Sequence, residues 1–189
     1  MMQIRITNMT ANVSLQCSVD TDKLVKQKIC KPFGKSKSNK NFNGVIYKSV
    51  ATAQIYKNGK INIMGAKSRK AVEQVYDEIC DKLMVEKAGP LNYTNFCATM
   101  DYGGKLPGDQ LCEYLKRQPE TKRVLLEPEL FPPIKWEPKC LPSTVNIFRS
   151  GKINSTGNKT ELQAVKSLAL VAKLINKVSD VLTSPTKNR

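Results

Sequence analysis

The sequence contains no histidine, and this absence excludes several classes of enzyme. A chain without imidazole cannot build a Ser-His-Asp or Cys-His catalytic site, and it cannot bind a metal ion through histidine. The six cysteines are widely separated and include no C-x-x-C pair, which argues against a structural zinc site. No apolar run approaches the roughly 20 residues that a transmembrane helix needs.

Acidic residues are also scarce relative to basic ones. The chain of 189 residues has 31 lysines and arginines against 16 acidic residues, a formal charge of +15. Both halves of the sequence are basic, so the excess is not confined to a tail. Such a surplus predicts an anionic partner, which is a nucleic acid, an acidic protein or an anionic membrane surface.

The remaining composition is typical of a folded intracellular protein. Hydrophobic residues make up 40% of the chain, enough for one or two packed domains and too many for a disordered chain. The first residues run directly into an amphipathic segment without the pattern of a signal peptide. We therefore expect an intracellular location and reduced thiols rather than disulfides.

An internal repeat organises the sequence. Residues 55–67 align with residues 147–159 at an offset of 92, with seven of 13 positions identical. Upstream, Thr7–Met9 aligns with Thr94–Phe96 at an offset of 87. Two matches in the same order indicate a duplication, with a boundary near residues 88–91.

Each repeat is predicted to contain the same elements. A strand with period-two alternation (4–15 or 92–100) leads to a short helix that begins at Asp20/Thr21 or at Asp109. Three strands follow a basic stretch, near 43–49, 51–57 and 60–65, and near 133–138, 143–149 and 152–156. An amphipathic helix closes each repeat, with apolar stripes predicted at the following positions: Ala71, Val72, Val75, Tyr76, Ile79, Cys80 and Leu83 in the first, and Leu162, Val165, Ala169, Ala172 and Ile175 in the second.

Strand alternation separates two faces of the predicted sheet. Ile61 and Ile63 point to the face that the helices cover, whereas Lys60, Asn62 and Met64 point to the other. That second face combines amides and aromatic rings with a rim of lysines. Such a surface is either an ordinary solvated sheet face or a binding surface for a nucleic acid.

Three motifs occur in order along the chain: residues 65–67 (Gly-Ala-Lys), residues 127–132 (Glu-Pro-Glu-Leu-Phe-Pro) and residues 148–152 (Phe-Arg-Ser-Gly-Lys). Together they resemble the duplicated core of the TATA-box-binding protein family. The resemblance covers roughly residues 3–180. It implies an α+β fold in which two pseudo-symmetric repeats form one curved antiparallel sheet, a saddle with helices on its convex face. The repeats would be residues 1–89 and 90–182, followed by a flexible tail at 183–189.

The family resemblance also implies that the concave face binds and bends DNA through the minor groove, and that the protein is not an enzyme and needs no cofactor or metal. Four aromatic rings would wedge between base steps: Phe42, Tyr56, Phe131 and Phe148. The groove floor would be contacted by Asn8, Thr10, Gln54, Asn62, Met64, Asn95, Cys97, Asn146, Asn154 and Thr156. Phosphates would be contacted by Lys48, Lys57, Asn58, Lys60, Lys67, Arg149, Ser150, Lys152 and Lys159.

The resemblance implies protein partners too. Residues Glu127, Glu129 and Leu130 would dock a transcription factor IIB-like protein, and through it the RNA polymerase machinery. The expected location is then the nucleus or another site of transcription. Self-association into a homodimer, the host and the preferred DNA sequence stay open.

The sequence also departs from the family pattern. Tyr56 replaces a wedge phenylalanine, and Glu137 stands where a cation is expected. The family floor is largely Val, Leu and Thr, whereas amides occupy many of the corresponding positions here. Because amides can bond the guanine amino group, we hypothesise a site less strictly A·T than a TATA box. The segment between Phe42 and Tyr56 is three residues shorter than that between Phe131 and Phe148, which suggests a reshaped first-repeat end.

Two alternative functions remain. In one, a family-like fold has lost DNA binding and serves as a protein-interaction platform in transcription, and the amide-rich floor favours this alternative. In the other, the chain is a nucleic-acid enzyme or its substrate-binding domain. The second is disfavoured because no paired carboxylates share a predicted face and no glycine-rich phosphate loop is found.

Overall fold

The computed structural model describes residues 3–33 and 44–183, and it describes side chains up to residue 178. The described chain divides into two units. The N-terminal unit is Thr7–Asn95, and the C-terminal unit combines Met1–Ile6 with Phe96–Arg189. The division therefore falls inside the first strand of each predicted repeat.

Both units run through the same order of elements. The first set is β1 (Arg5–Ser14), α1 (Thr21–Lys26), β2 (Lys31–Pro32), β3 (Gly44–Lys48), β4 (Thr52–Tyr56), β5 (Lys60–Ala66) and α2 (Arg69–Leu83). The second set is β6 (Asn92–Asp101), α3 (Gly108–Lys116), β7 (Thr121–Glu127), β8 (Phe131–Pro138), β9 (Thr144–Ile147), β10 (Lys152–Asn158) and α4 (Glu161–Thr183). The strand orders are β2-β3-β4-β5-β1 and β6-β10-β9-β8-β7. Among the helices of the described ranges, none combines the length and the apolar character needed to cross a bilayer.

Helix α2 covers one face of the N-terminal sheet. The strand residues Ile55, Ile61 and Ile63 are almost completely buried, as are Val75 and Ile79 of the helix. The helix begins where the Ser68 hydroxyl accepts a hydrogen bond from the Ala71 amide at 3.2 Å. Burial of this apolar stripe, rather than helix propensity, supplies most of the stability of such a helix.

The core of the C-terminal unit contains a polar cluster where the N-terminal core is apolar. The hydroxyls of Ser155 and Ser167 lie 2.6 Å apart, and Asn158 donates to both Ser155 Oγ and the Phe96 carbonyl. At the repeat-related positions the N-terminal unit has Ile63, Val75 and Ala66. The two cores are therefore similar in layout but different in chemistry.

The structure corrects three sequence-based expectations. Helix α4 buries Ala172 and Ile175 as predicted, but Leu162 is 60% and Val165 39% exposed, and Ala169 is exposed as well. Its buried stripe runs instead through Ala164, Leu168, Val171 and Ile175, because the helix is rotated relative to the predicted stripe.

The other two corrections concern helix α3 and the strands β2 and β7. Helix α3 begins at Gly108, after Pro107, rather than at Asp109. Strands β2 and β7 were absent from the sequence-based prediction because their residues alternate weakly and are mostly charged or prolyl.

In both units a tight hairpin turn packs against the loop that precedes the short helix. The Leu15 amide donates to the Gly59 carbonyl and the Val19 amide to the Lys57 carbonyl. In the C-terminal unit the repeat-related bonds are from Tyr102 to Gly151 and from Leu106 to Arg149. Glycine is required at both turns: φ is +78° at Gly59 and +88° at Gly151, and an added Cβ would lie 2.1 and 2.4 Å from a backbone oxygen.

This close approach predicts unequal effects of two alanine substitutions. Gly151→Ala should lower the free energy of unfolding by about 3 kcal/mol or more, because left-handed strain adds to a backbone clash. Gly103→Ala has a similar φ of +84° but open space around the new Cβ, so it should cost about 1–2 kcal/mol. Urea unfolding of both variants measures the difference, and equal losses would contradict the docking of the hairpin.

Candidate nucleic-acid interface

Each sheet has a second face, which we call the open face, made of the half-buried strand residues that alternate with the buried core. In the N-terminal unit it comprises Asn8, Thr10, Asn12, Ile46, Gln54, Tyr56, Asn62 and Met64. In the C-terminal unit it comprises Cys97, Thr99, Lys135, Asn146, Phe148, Asn154 and Thr156. All of the predicted floor residues are half-buried, and the alternation places those on the strands opposite the helices.

Strand register aligns the amides of each open face into a row across the sheet. In the N-terminal unit Asn12 lies opposite Asn62, which lies opposite Gln54, which lies opposite Ile46. We call this set the N-terminal row.

The C-terminal unit has a matching row. Thr99 lies opposite Asn154, Asn154 opposite Asn146, and Asn146 opposite Lys135. Within this C-terminal row Asn146 Nδ2 donates to Asn154 Oδ1 at 2.9 Å. The two rows differ most at their ends, where an apolar Ile46 corresponds to a basic Lys135.

Four members of these rows were missed by the sequence reasoning: Asn12, Thr99, Ile46 and Lys135. Continuing the alternation of Asn8 and Thr10 by one more step would have included Asn12, and likewise Thr99 after Cys97. Ile46 and Lys135 carried no such signal, because their placement depends on the pairing of β3 with β4 and of β8 with β9.

Three of the four predicted wedge rings lie in the described part of the chain. Tyr56 ends β4, and Phe148 directly follows β9. Phe131 begins β8 and is 45% exposed, an unusual state for a large apolar ring. The pairing of Ile134 with Ile147 brings the Phe131 end of β8 to the Phe148 end of β9. Phe42 lies outside the described residues.

In both units the strands that carry the predicted wedge rings pair in the same register. Gly44, two residues after position 42, pairs with Tyr56. Extending the β8–β9 ladder by one residue from Ile134 and Ile147 sets Pro133, two residues after Phe131, opposite Phe148. The three missing residues of the first repeat therefore fall in the β3–β4 connection, after Lys48. The reshaped first-repeat end stays a prediction, because Phe42 lies outside the described residues.

The nine predicted phosphate-binding residues are all exposed, and six of them lie at the two hairpin turns around Gly59 and Gly151. Lys60 and Lys152 begin β5 and β10, and Asn58 Oδ1 accepts a hydrogen bond from the Lys60 amide at 3.2 Å. Ser150 lies in the turn that corresponds to Asn58. The remaining exposed lysines of this set are Lys48, Lys67 and Lys159. Glu137 occupies the register position that matches Lys48 and lies opposite Arg123.

Two of the predicted phosphate ligands are already engaged within the protein. Lys57 Nζ lies 3.2 Å from Asp22 of α1, and Arg149 Nη2 lies 3.0 Å from Asp109 of α3. The pairs are related by the repeat, and each joins the cation after a wedge ring to the first turn of a short helix. All four side chains are more than half exposed, so each pair is worth only about 0–1 kcal/mol.

Other open-face residues have local structural roles. Asn8 Oδ1 accepts a 2.7 Å hydrogen bond from the Gly65 amide, at a bulge where Gly65 has φ of +83°. Thr94 Oγ1 donates to the Thr10 carbonyl at 3.4 Å. In the C-terminal unit a cavity of about 330 Å³ beside Phe148 is lined by Arg5, Lys152 and Asn154. These contacts fix the open face in shape while leaving side chains accessible.

The predicted partner-binding residues form the tip of the β7–β8 hairpin. The Leu130 amide donates to the Glu127 carbonyl at 3.0 Å, which closes the turn, and Glu127 pairs with Phe131. Glu127 and Glu129 are exposed, and Leu130 is 81% exposed. An exposed apolar side chain on the same hairpin tip as two exposed carboxylates is suited to contact another protein.

Within residues 3–33 and 44–178 no group of three acidic or cysteine side chains converges to hold a metal ion. No disulfide joins the cysteines of these ranges. Burial raises the pKa of Cys30 to about 11 and also raises the pKa of Cys80 and Cys112. These three buried thiols therefore stay protonated near neutral pH and are poor nucleophiles and metal ligands.

Comparison with known proteins explains this arrangement. The family model described as "Transcription factor TFIID (or TATA-binding protein, TBP)" matches residues 3–85 and 91–178. The chain belongs to the TATA-binding-protein family. The TATA-box-binding protein of Methanopyrus kandleri is 29% identical over 95% of this chain and 100% of its own. That of Picrophilus torridus is 29% identical over 94% and 97%.

A solved structure establishes the fold independently. The Methanococcus jannaschii TATA-binding protein superimposes with a TM-score of 0.72 at 23% identity, covering 93% of this chain and 99% of that one. The α+β fold class expected from the family resemblance is thereby confirmed. The roles of individual residues stay predictions.

Proposed function

We propose that this TATA-binding-protein family member is a transcription initiation factor that binds the DNA minor groove through its open faces and bends the duplex. The observation that carries the proposal is the repeated open face, with half-buried polar residues in its middle, aromatic rings at its end and cations around it. Family membership supports the coarser function, a TATA-box-binding role without catalysis. Such a protein acts wherever the genome is transcribed.

In the proposed mechanism three sets of side chains make three kinds of contact with DNA. Exposed cations such as Lys60 and Lys152 neutralise phosphates and release counterions, which supplies affinity without sequence preference. The half-buried rows contact base edges along the groove floor. Phe131 and Phe148 insert at a base step, and the unstacking they cause is offset by the larger contact area of a bent duplex.

Wedge removal separates this proposal from the platform alternative. Replacing Phe131 and Phe148 by alanine should lower affinity for an A·T-rich duplex about 30-fold or more, because each stacked ring is worth about 1–3 kcal/mol. The bend, measured by fluorescence energy transfer between the duplex ends, should fall as well. Tyr114→Ala is the control, since Tyr114 is a half-buried ring on α3, outside the open face.

The platform alternative predicts the opposite result. A protein that has lost specific DNA binding would retain its weak, salt-sensitive affinity in the Phe131→Ala/Phe148→Ala variant. The amide-rich floor favours this alternative, whereas the exposed hairpin tip is compatible with both functions, since a factor can bind DNA and a protein together.

The ion pair between Asp109 and Arg149 predicts that removing the acidic partner of a phosphate-binding cation raises the affinity for DNA. Because Asp109 holds Arg149, Asp109→Asn should release the cation to phosphate, raise DNA affinity about two- to fivefold and steepen the log–log salt slope by up to about 0.9. Glu113→Gln changes the net charge equally on the same helix but breaks a pair with Lys116, a residue outside the predicted interface. If titrations at several salt concentrations give the same change for both variants, Arg149 makes no phosphate contact.

We further propose that the β7–β8 tip docks a transcription factor IIB-like protein. Leu130→Ser should abolish the slower band that such a factor adds to the protein–DNA complex in a gel-shift assay, while leaving the binary complex intact. The carboxylate variant Glu129→Gln should have a smaller effect, since a rim charge contributes less than a buried apolar anchor. Retention of the slower band by Leu130→Ser would place the partner elsewhere.

A further inference from the structure

The two amide rows differ in how their side chains are bonded, although they occupy equivalent strands. In the N-terminal row the Gln54 Oε1 atom accepts a 3.2 Å hydrogen bond from the hydroxyl of Tyr56. That acceptor is therefore tied to a predicted wedge ring. In the C-terminal row the corresponding ring is Phe148, which has no hydroxyl, and Asn146 is bonded to Asn154 instead.

The Asn146–Asn154 pair leaves one polar atom unsatisfied. Asn146 Nδ2 donates to Asn154 Oδ1, and Asn146 Oδ1 is buried without a hydrogen-bond partner among the described residues. If both amides turn by 180° about their last side-chain torsion, donor and acceptor exchange and the bond between them is preserved. A buried atom of Asn146 is unpaired in either orientation, so burial does not select strongly between the two.

The orientation decides what Asn154 can offer to a ligand on the open face. In one orientation the Asn154 amino group is left to donate, and in the other its carbonyl oxygen is left to accept. The minor-groove edge of an A·T pair presents only acceptors, whereas a G·C pair adds the guanine N2 amino donor. A reversible amide pair can therefore match both kinds of base pair, which an aliphatic side chain cannot do.

We propose that Asn146 and Asn154 form a base-reading pair that accepts the guanine N2 amino group at one base pair of the half-site bound by the C-terminal unit. The inference rests on the proposed binding of the minor groove and assigns its specificity to named residues. We expect no equivalent guanine position at Gln54 and Asn62, because the Tyr56 hydroxyl fixes the orientation of the Gln54 amide and removes the reversibility on which the Asn146–Asn154 pair depends. The preferred duplex is thus asymmetric, with one tolerated G·C pair.

Inosine provides a direct probe of the guanine amino group. An I·C pair lacks N2 and has the same minor-groove hydrogen-bonding groups as A·T, so comparison of G·C with I·C isolates that amino group. We would measure dissociation constants for an A·T-rich TATA-type duplex and for two series carrying a single G·C or a single I·C pair at each position. At most positions G·C should bind about tenfold or more weakly than I·C. At one position the two should bind equally, or G·C more tightly.

Variants then assign that position to the pair. In Asn146→Val/Asn154→Val the G·C duplex at the tolerated position should bind about tenfold more weakly than its I·C counterpart, and this ratio isolates the guanine amino group from any loss of affinity that both duplexes share. Gln54→Val/Asn62→Val is the matched control in the repeat-related row, and it should leave the tolerance unchanged. Valine suits a half-buried strand position, and thermal melting of both variants checks that they remain folded.

The possible outcomes of these binding measurements contradict different claims. A tenfold penalty for G·C at every position of the wild-type scan would overturn the inference while leaving the proposed function standing. Tolerance that survives Asn146→Val/Asn154→Val, or is lost in the control variant, would overturn the assignment to this pair. Failure to bind even the A·T and I·C duplexes would overturn the proposed function, and the inference with it.

Discussion

The structure depends on one-sided burial of its antiparallel sheets. Helices cover a single face of each sheet, so every strand must alternate between residues such as Ile61 and Ile63, which are excluded from water, and residues such as Asn62, which are not. A shift of one residue in any strand would exchange the two sets, placing amides in the core and isoleucines on the surface. Core packing and the composition of the open face are therefore set by the same register, and the open face can change chemically while the fold persists.

Duplication supplied two copies of one scaffold, and the copies share some side-chain contacts and differ in others. The hairpin docking and the ion pairs of Asp22 with Lys57 and Asp109 with Arg149 are retained in both. The composition of the cores and the hydrogen bonds within the amide rows differ between the two copies. The retained contacts hold the turns next to the predicted wedge rings. A DNA-bending role would require this placement in both units. Under the proposed function, the diverged contacts would let one half of the protein bind its half-site differently from the other half, as an asymmetric promoter element requires.

Much of the fold was predictable because its periodic segments are long. The ten-residue strands β1 and β6 and helix α2 have clear periods, and their buried faces agree with the sequence pattern. Helix α4 was the exception: it is apolar over so much of its circumference that Leu162 and Val165 formed a convincing stripe, yet both are exposed. Strand β7 was missed for the opposite reason, since its charged residues carry no period. Only contact with β8 and α3 makes it a strand.

The amino-acid sequence by itself determined the repeat, the alternation, the glycines at the turns and the open-face residues other than Ile46 and Lys135. Those features are local, because backbone sterics and the two-residue period of a strand act over a few neighbours. Tertiary structure alone decided which amides stand side by side, that Gln54 bonds Tyr56 while Asn146 bonds Asn154, and that Lys57 and Arg149 meet acids of the short helices. Each of those contacts joins side chains brought together by pairing between strands or by packing of a helix against a turn, and no short-range pattern records that pairing.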